Sequence, residues 1–207
     1  MSPAPPFPGA VIEPAGREDL PAIAALAGVV WRAYYPGIIS EAQIDYMLAR
    51  MYDRDVLRQE LAAGIRYDRL LVRMELLGFA SYGPAPMRAH AALGQPGPPE
   101  VAAGGNAETG VRVPGSEPLP ASGDLKLHKL YVHPAWQRRG LGTQLLRHVE
   151  QTARAGGFRT LVLSVNKANA QAIAAYRKNG FTVREAIVTD IGGGFVMDDY
   201  VMAKAVR

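Results

Sequence analysis

The sequence predicts an α/β fold organised around a strand–loop–helix–strand–helix unit in its C-terminal half. Three observations carry this. Leu125 to His133 reads as a strand and runs into the loop Gln137-Arg138-Arg139-Gly140-Leu141-Gly142. Leu141, Leu145, Leu146, Val149 and Ala153 then recur at helical spacing until Gly156-Gly157. Thr160 to Val165 is a short, almost wholly apolar run, the pattern of a buried parallel strand, and a second helix begins at Asn169, carries Ile173 and Tyr176, and closes at Asn179-Gly180. In such a βαβα unit the ligand site lies at the carboxyl ends of the strands.

The other elements follow in chain order. Residues 1–9 are proline-rich and read as a flexible tail, and 10–207 as one domain. Val11-Ile12-Glu13 reads as a strand. Gly16 to Tyr35 reads as a helix with Leu20, Ile23, Ala24, Ala27, Val30 and Trp31 on one side. Ser40 is placed to cap the next helix, with Gln43 at capping-box spacing, and Tyr52 to Ala63 continues the helical pattern to Gly64. Arg69 to Met74 and Leu76 to Tyr82 read as a hairpin. Residues 84–122 hold 8 of the 16 prolines, 6 glycines and no aromatics, so they cannot bury enough apolar surface to offset their ordering entropy. They are expected to be a Pro/Gly/Ala-rich insertion, disordered or, alternatively, a substrate lid. Phe181 to Thr189 and Phe195 to Ala203 read as a final hairpin turning at Gly192-Gly193-Gly194.

The glycine loop carries the first chemistry. A helix start leaves N–H groups unpaired, and glycines let the backbone approach a ligand, so the loop is suited to a diphosphate. Arg138 and Arg139 add positive charge. It is not a nucleotide P-loop, because Gly142 is followed by Thr143-Gln144 rather than Lys-Ser/Thr. It is not a dinucleotide fingerprint, because Leu145 stands where a third glycine belongs. Taken alone, the glycine pair also fits an ordinary strand-to-helix turn.

The stretch Lys129 to Phe181 resembles the GNAT superfamily of acyl-CoA-dependent N-acyltransferases. Gln137 to Gly142 fits the family loop Gln/Arg-x-x-Gly-x-Gly/Ala, and Asn169, Ala172, Tyr176, Gly180 and Phe181 fit its second motif in register. Leu130-Tyr131-Val132-His133-Pro134 is similar to the family's central strand. The resemblance implies a central mixed, mostly antiparallel sheet of about seven strands with helices on both faces. It implies acetyl-CoA as cosubstrate, with no metal. It implies that Leu130, Tyr131, Val132, Gln137, Arg138, Arg139, Gly140, Leu141, Gly142, Thr143, Asn169 and Tyr176 bind it. Tyr176 would protonate the departing thiolate, and Asn169 would hold the pantetheine or phosphate region.

An alkyl ammonium must lose a proton before it attacks a thioester. His128 is the candidate base, with Asp124, Glu41, Asp45 or a water chain as alternatives, and it reads equally as a structural strand histidine; Asp198 and Asp199 are candidates for the edge of the acceptor pocket or, alternatively, surface charges beside the glycine turn. The implied function is transfer of acetyl from acetyl-CoA to the primary amine of a small molecule, by direct attack in a ternary complex. The C-terminal run Asp190 to Met202 is loosely similar to diamine/polyamine acetyltransferases. The alternatives are a protein N-terminal or lysine acetyltransferase and a non-catalytic acyl-CoA sensor.

Composition narrows the rest. No cysteine means no disulfide, no thiolate metal site and no acyl-cysteine relay. His90, His128, His133 and His148 lack ligand spacing. Residues 1–122 hold 10 Lys/Arg and 13 Asp/Glu, a net of −3; residues 123–207 hold 13 and 6, a net of +7. The basic half is the one expected to meet CoA, and Glu41, Asp45, Asp53 and Asp55 could attract a cationic amine; the alternative is that they are solvated helix faces. No basic cluster interleaves with aromatics, which argues against nucleic acid. No long apolar stretch and no basic leader argue against membrane insertion and export, so the cytoplasm is expected. Many members of the superfamily dimerise, which leaves a homodimer as an open expectation.

Overall fold

The computed structural model describes residues 7–85 and 123–206 of the 207-residue chain. The strands are β1 Ala10–Pro14, β2 Arg66–Val72, β3 Glu75–Pro84, β4 Asp124–Val132, β5 Thr160–Asn166, β6 Thr182–Gly192 and β7 Phe195–Ala205. They form one sheet in the order β1-β2-β3-β4-β5-β7-β6. Only β4 and β5 run parallel; the other neighbouring pairs are antiparallel. The helices are α1 Leu20–Tyr34, α2 Glu41–Tyr52, α3 Arg54–Ala62, α4 Leu141–Ala155 and α5 Ala170–Lys178.

The sheet separates two cores. Leu145 and Val149 of α4 and Ile173 of α5 pack with Leu127, Leu161 and Phe181 on one face. Ile23 and Trp31 of α1, Met47 of α2 and Leu57 of α3 pack with Tyr67, Phe79 and Ile191 on the other. The expected mixed sheet of seven strands, with helices on both faces, is therefore present.

Several local readings change in detail. Ser40 accepts the Gln43 N–H at 3.2 Å, but the Gln43 side chain donates to the Val196 carbonyl at 2.9 Å instead of returning to Ser40. The capping box is half-formed, and its free half ties α2 to β7. The pattern from Tyr52 to Ala63 is not continuous. It breaks at Asp53, whose carboxylate accepts the Asp55 N–H at 2.8 Å and caps α3. Phe7, in the tail expected to be flexible over residues 1–9, is docked edge-on against Trp136 with ring centroids 5.8 Å apart. Of the expected insertion at 84–122, Pro84 pairs with Leu125 and the Ala85 N–H bonds the Asp124 carbonyl at 2.8 Å. Residues 86–122 lie outside the described residues.

A buried ion pair anchors α3 to the sheet. Lys129 Nζ bonds both Glu60 oxygens, at 2.7 and 2.6 Å, and the Tyr67 hydroxyl at 2.9 Å. Lys129 is only 3% exposed, so losing Glu60 strands a desolvated cation. Glu60→Leu is expected to cost about 3–5 kcal/mol in urea unfolding. The double variant with Lys129→Met removes the stranded charge and is expected to recover most of that loss.

One irregularity shapes the site. Tyr82 lies opposite Leu127 and Ser81 opposite Lys129, so His128 is an extra residue in β4. A bulge of this kind bends its strand. Pairing of β4 with β5 stops at Leu127–Leu163, whereas β5 stays on β7 as far as Asn166–Asp199. The two parallel strands therefore splay beyond Leu127.

Candidate active site

A cleft of about 940 Å³ passes through the splay. One end is the loop before α4. Arg138 and Gly140 adopt left-handed backbone, φ 61° and 87°. At Gly140 the absence of a Cβ removes the strain of that conformation. The first α4 bond runs from the Gln144 N–H to the Gly140 carbonyl at 3.0 Å. The N–H groups of Leu141, Gly142 and Thr143 therefore lack partners in the preceding turn, as at any helix start. They converge with the helix dipole on one point suited to an anion.

The expected loop residues divide by role. Gln137, Arg138, Gly140, Gly142 and Thr143 line the cleft. Gln137 also donates to the Val132 carbonyl at 3.1 Å, fixing the loop against β4. Leu141 is buried in the core, so it has only its backbone to offer. Arg139 is not among the lining residues; its guanidinium lies 4.8 Å from the Trp136 ring centroid.

The middle of the cleft is the splay itself. The His133 N–H bonds the Leu77 carbonyl of β3 at 2.7 Å. Backbone groups alternate along a strand, so those of Tyr131 and Lys129 also face β3, and those of Leu130 and Val132 face the gap. Among the described residues no strand pairs with them there, which leaves their N–H groups available to an extended ligand.

The far end is a chamber between α1, α2 and the sheet. Trp31 stacks on Tyr35 at 4.3 Å, and Phe79 packs on Tyr131 at 5.6 Å. The hydroxyls of Tyr35 and Tyr131 lie 3.5 Å apart. Tyr34 donates to Asn169 Oδ1 at 3.1 Å and so links α1 to the start of α5. That same oxygen caps α5 by accepting the Ala172 N–H at 3.0 Å, which leaves Asn169 only its amide NH₂ for a ligand. Tyr176 packs on Phe181 at 5.7 Å and lines the cleft. Burial, with Tyr34 nearby, pushes its phenol up to about 12, so it stays protonated at neutral pH.

The base candidates separate clearly. Glu41, Asp45 and Asp124 are not among the lining residues. Asp45 pairs with Arg32 at 3.0 Å and Asp124 with Arg184 at 2.6 Å. Asp53 and Asp55 do not line the cleft either; Asp53 is a cap and Asp55 pairs with Arg58 at 2.8 Å. Among the described residues, Glu60 is the carboxylate of the N-terminal half that lines the cleft, and it is paired with Lys129. His128 does line the cleft, but burial, then Lys126 and Lys129, hold its imidazole down to about 3. That makes it a poor proton acceptor.

Asp199 has the opposite character. It follows Phe195 and Met197 on the α1–α2 face of β7, lines the cleft and is buried. Its Oδ1 has no hydrogen-bond partner among the described residues. Burial, then the charge of Asp198, push its carboxyl up to about 6, opposed by Lys126 and Lys167. Asp198 itself points away and pairs with Lys167. Sequence reasoning placed Asp199 only at a pocket edge and missed Lys126. Alternation with Leu125 and Leu127 was the available signal for Lys126. Among the described residues no group of His, Asp and Glu could hold a metal, and no helix is long and apolar enough to cross a membrane.

Known proteins match this arrangement at two levels. A 56-residue stretch is 41% identical to L-methionine sulfoximine/L-methionine sulfone acetyltransferase of Salmonella typhimurium, covering 27% of this chain and 33% of that protein. Another of 55 residues is 46% identical to the ribosomal protein bS18-alanine N-acetyltransferase of the same organism, covering 27% and 37%. The chain thus spans about a third of the length of these relatives. Over the whole fold, the Thermoplasma acidophilum PaiA N-acetyltransferase, solved in complex with coenzyme A, superposes with a TM-score of 0.66 at 20% identity, covering 95% of this chain and 98% of that one. The model of the acetyltransferase (GNAT) family matches residues 74–181, just over half of the sequence. That span starts in the β2–β3 turn and takes in the splayed strands, the glycine loop with the start of α4, and α5, so the chain belongs to the GNAT acetyltransferase family.

Proposed function

We propose that this protein transfers an acetyl group from acetyl-CoA to a primary amine of a small molecule, by direct attack within a ternary complex. The observation that carries the reading is the continuity of one cleft. It joins an anion-binding helix start, two splayed strands with unpaired amides, and a chamber holding an unpaired carboxylate. A thioester ligand would supply an activated acyl carbon and a thiolate leaving group.

The residues divide the remaining work. The N–H groups of Leu141, Gly142 and Thr143 hold the diphosphate. The N–H groups of Leu130 and Val132 hold the amide-bearing arm and stabilise negative charge on the carbonyl oxygen. Asp199 takes a proton from the incoming ammonium, and the freed nitrogen lone pair forms the C–N bond as the C–S bond breaks. Tyr176 gives its proton to the departing sulfur and is reloaded by the second nitrogen proton through water. Asp199 returns its proton to solvent, so one amide, one thiol and one released proton balance the reaction.

Free-thiol release on mixing with acetyl-CoA and a panel of amines and short peptides tests this reading. Turnover of small amines is expected. Turnover confined to peptides would shift the acceptor class, and binding without release would leave a sensor. Tyr176→Phe is expected to lower kcat by about 10²-fold, the scale of a positioned general acid. The KM for acetyl-CoA should hold, because only a hydroxyl is lost and the ring still packs on Phe181. Unchanged kcat under rate-limiting chemistry would assign the proton to water.

A further inference from the structure

Two opposite charges in the chamber have no hydrogen-bond or ion-pair partner among the described residues. Lys126 projects from the face of β4 opposite Leu125 and Leu127, towards α1 and α2, and lines the cleft. Among the described residues it makes no hydrogen bond or ion pair. Its neighbour Lys129 is neutralised by Glu60, so Lys126 is the uncompensated cation of this part of β4. Across the gap stands Asp199, its Oδ1 buried and unbonded. Each perturbs the other's ionisation, so they share one field, yet no ion pair joins them.

Holding opposite charges desolvated but apart is unfavourable. The arrangement is relieved by a ligand that bridges them with complementary charges. A carboxylate would meet Lys126 and an ammonium would meet Asp199, each through a charge-assisted bond of about 2.8 Å. Trp31, Met47, Met51, Ile191 and Met197 supply apolar wall, while Glu60 and Arg50 on the same lining are engaged, Glu60 with Lys129 and Arg50 with the Tyr46 hydroxyl. A polyamine would instead bring a second cation towards Lys126, a repulsive contact in a low-dielectric site.

We propose that the acceptor is an amino-acid-type zwitterion with an apolar side chain, its carboxylate held by Lys126 and its ammonium delivered to Asp199. The proposal rests on the acetyl-transfer reading above, and gives Lys126 a role in binding rather than in chemistry.

The test compares matched acceptors on the parent, Lys126→Met and Lys126→Arg. The probes are L-leucine, L-leucinamide and isopentylamine, with L-phenylalanine, L-phenylalaninamide and phenethylamine as a second series. In the parent, kcat/KM should favour the free amino acid by about 10²-fold over its carboxylate-free partners. Lys126→Met should erase that preference by raising the amino acid's KM, with the KM for acetyl-CoA unchanged and the melting temperature unchanged or raised. Lys126→Arg should retain most of the preference. Amides or amines used as well as amino acids by the parent, or a preference that survives Lys126→Met, would overturn the inference and leave acetyl transfer standing. CoA binding by calorimetry with no thiol release from any probe would sink the transfer reading, and this inference with it.

Discussion

Asp199→Asn is expected to lower kcat/KM for the amine by about 10²–10³-fold, within the range for a positioned base. The pH profile separates this from simple damage. On the proposed mechanism the parent needs ionised Asp199 together with the ammonium, so activity should fall as pH drops below about 6, the value to which burial pushes the carboxyl. Above that limb a plateau should extend towards the amine's own ionisation, at about 10 for an alkyl ammonium. Asp198, Lys126, Lys167 and Tyr35 are the charged or titratable groups that Asp199 senses, and the two lysines keep its carboxyl from rising further. The asparagine variant lacks an acceptor for the ammonium proton. Its activity should climb steadily with pH, tracking the free amine. A parent-like plateau in Asp199→Asn would transfer the proton to another group.

Gly142→Asp should abolish CoA binding without harming the fold. A Cβ here would meet only Val132 Cγ2 at 3.8 Å and Leu130 Cδ2 at 3.9 Å, ordinary contacts. The position is in the first turn of α4, where a carboxylate is favourable to the helix dipole and aspartate replaces a poor helix former. The melting temperature should therefore hold or rise slightly. The same carboxylate occupies the point where the helix start would receive a diphosphate, so calorimetry should record an affinity loss of about 10²-fold or more. Gly142→Ala, which adds the Cβ alone, should lose far less. Full affinity in a folded Gly142→Asp would take the diphosphate away from this loop.

What the sequence made legible was local. The start of α4 is announced by Gly140 and Gly142, and the start of α5 by Asn169, because caps and glycines act on their own few residues. The strands were recognisable from apolar runs, including the β2–β3 hairpin, whose turn at Arg73 and Met74 uses positive φ without glycine. The acceptor chamber was not legible in the same way. Lys126, Tyr34 and Asp199 come from separate elements, and Asp199 is brought to the gap by pairing β7 with β5 at Asn166. Charge counted over half the chain pointed to Glu41, Asp45, Asp53 and Asp55, but a count carries no direction. His128 looked like a base by residue type; its surroundings hold it neutral and weakly basic.

The splay between β4 and β5 has a consequence beyond chemistry. A sheet that parts in its middle has two internal edges, with main-chain groups that water or another strand would otherwise satisfy. On the proposed reading, an extended ligand bearing amides would act there as a short guest strand beside Leu130 and Val132, where β4 has left β5. Its binding energy then becomes folding energy by mass action, about 2.7 kcal/mol when ligand stands at a hundredfold above Kd. The two halves of the sheet, joined directly only from Asp124 to Leu127 on β4, would be mechanically one body when the guest is in place and two loosely hinged ones when it leaves.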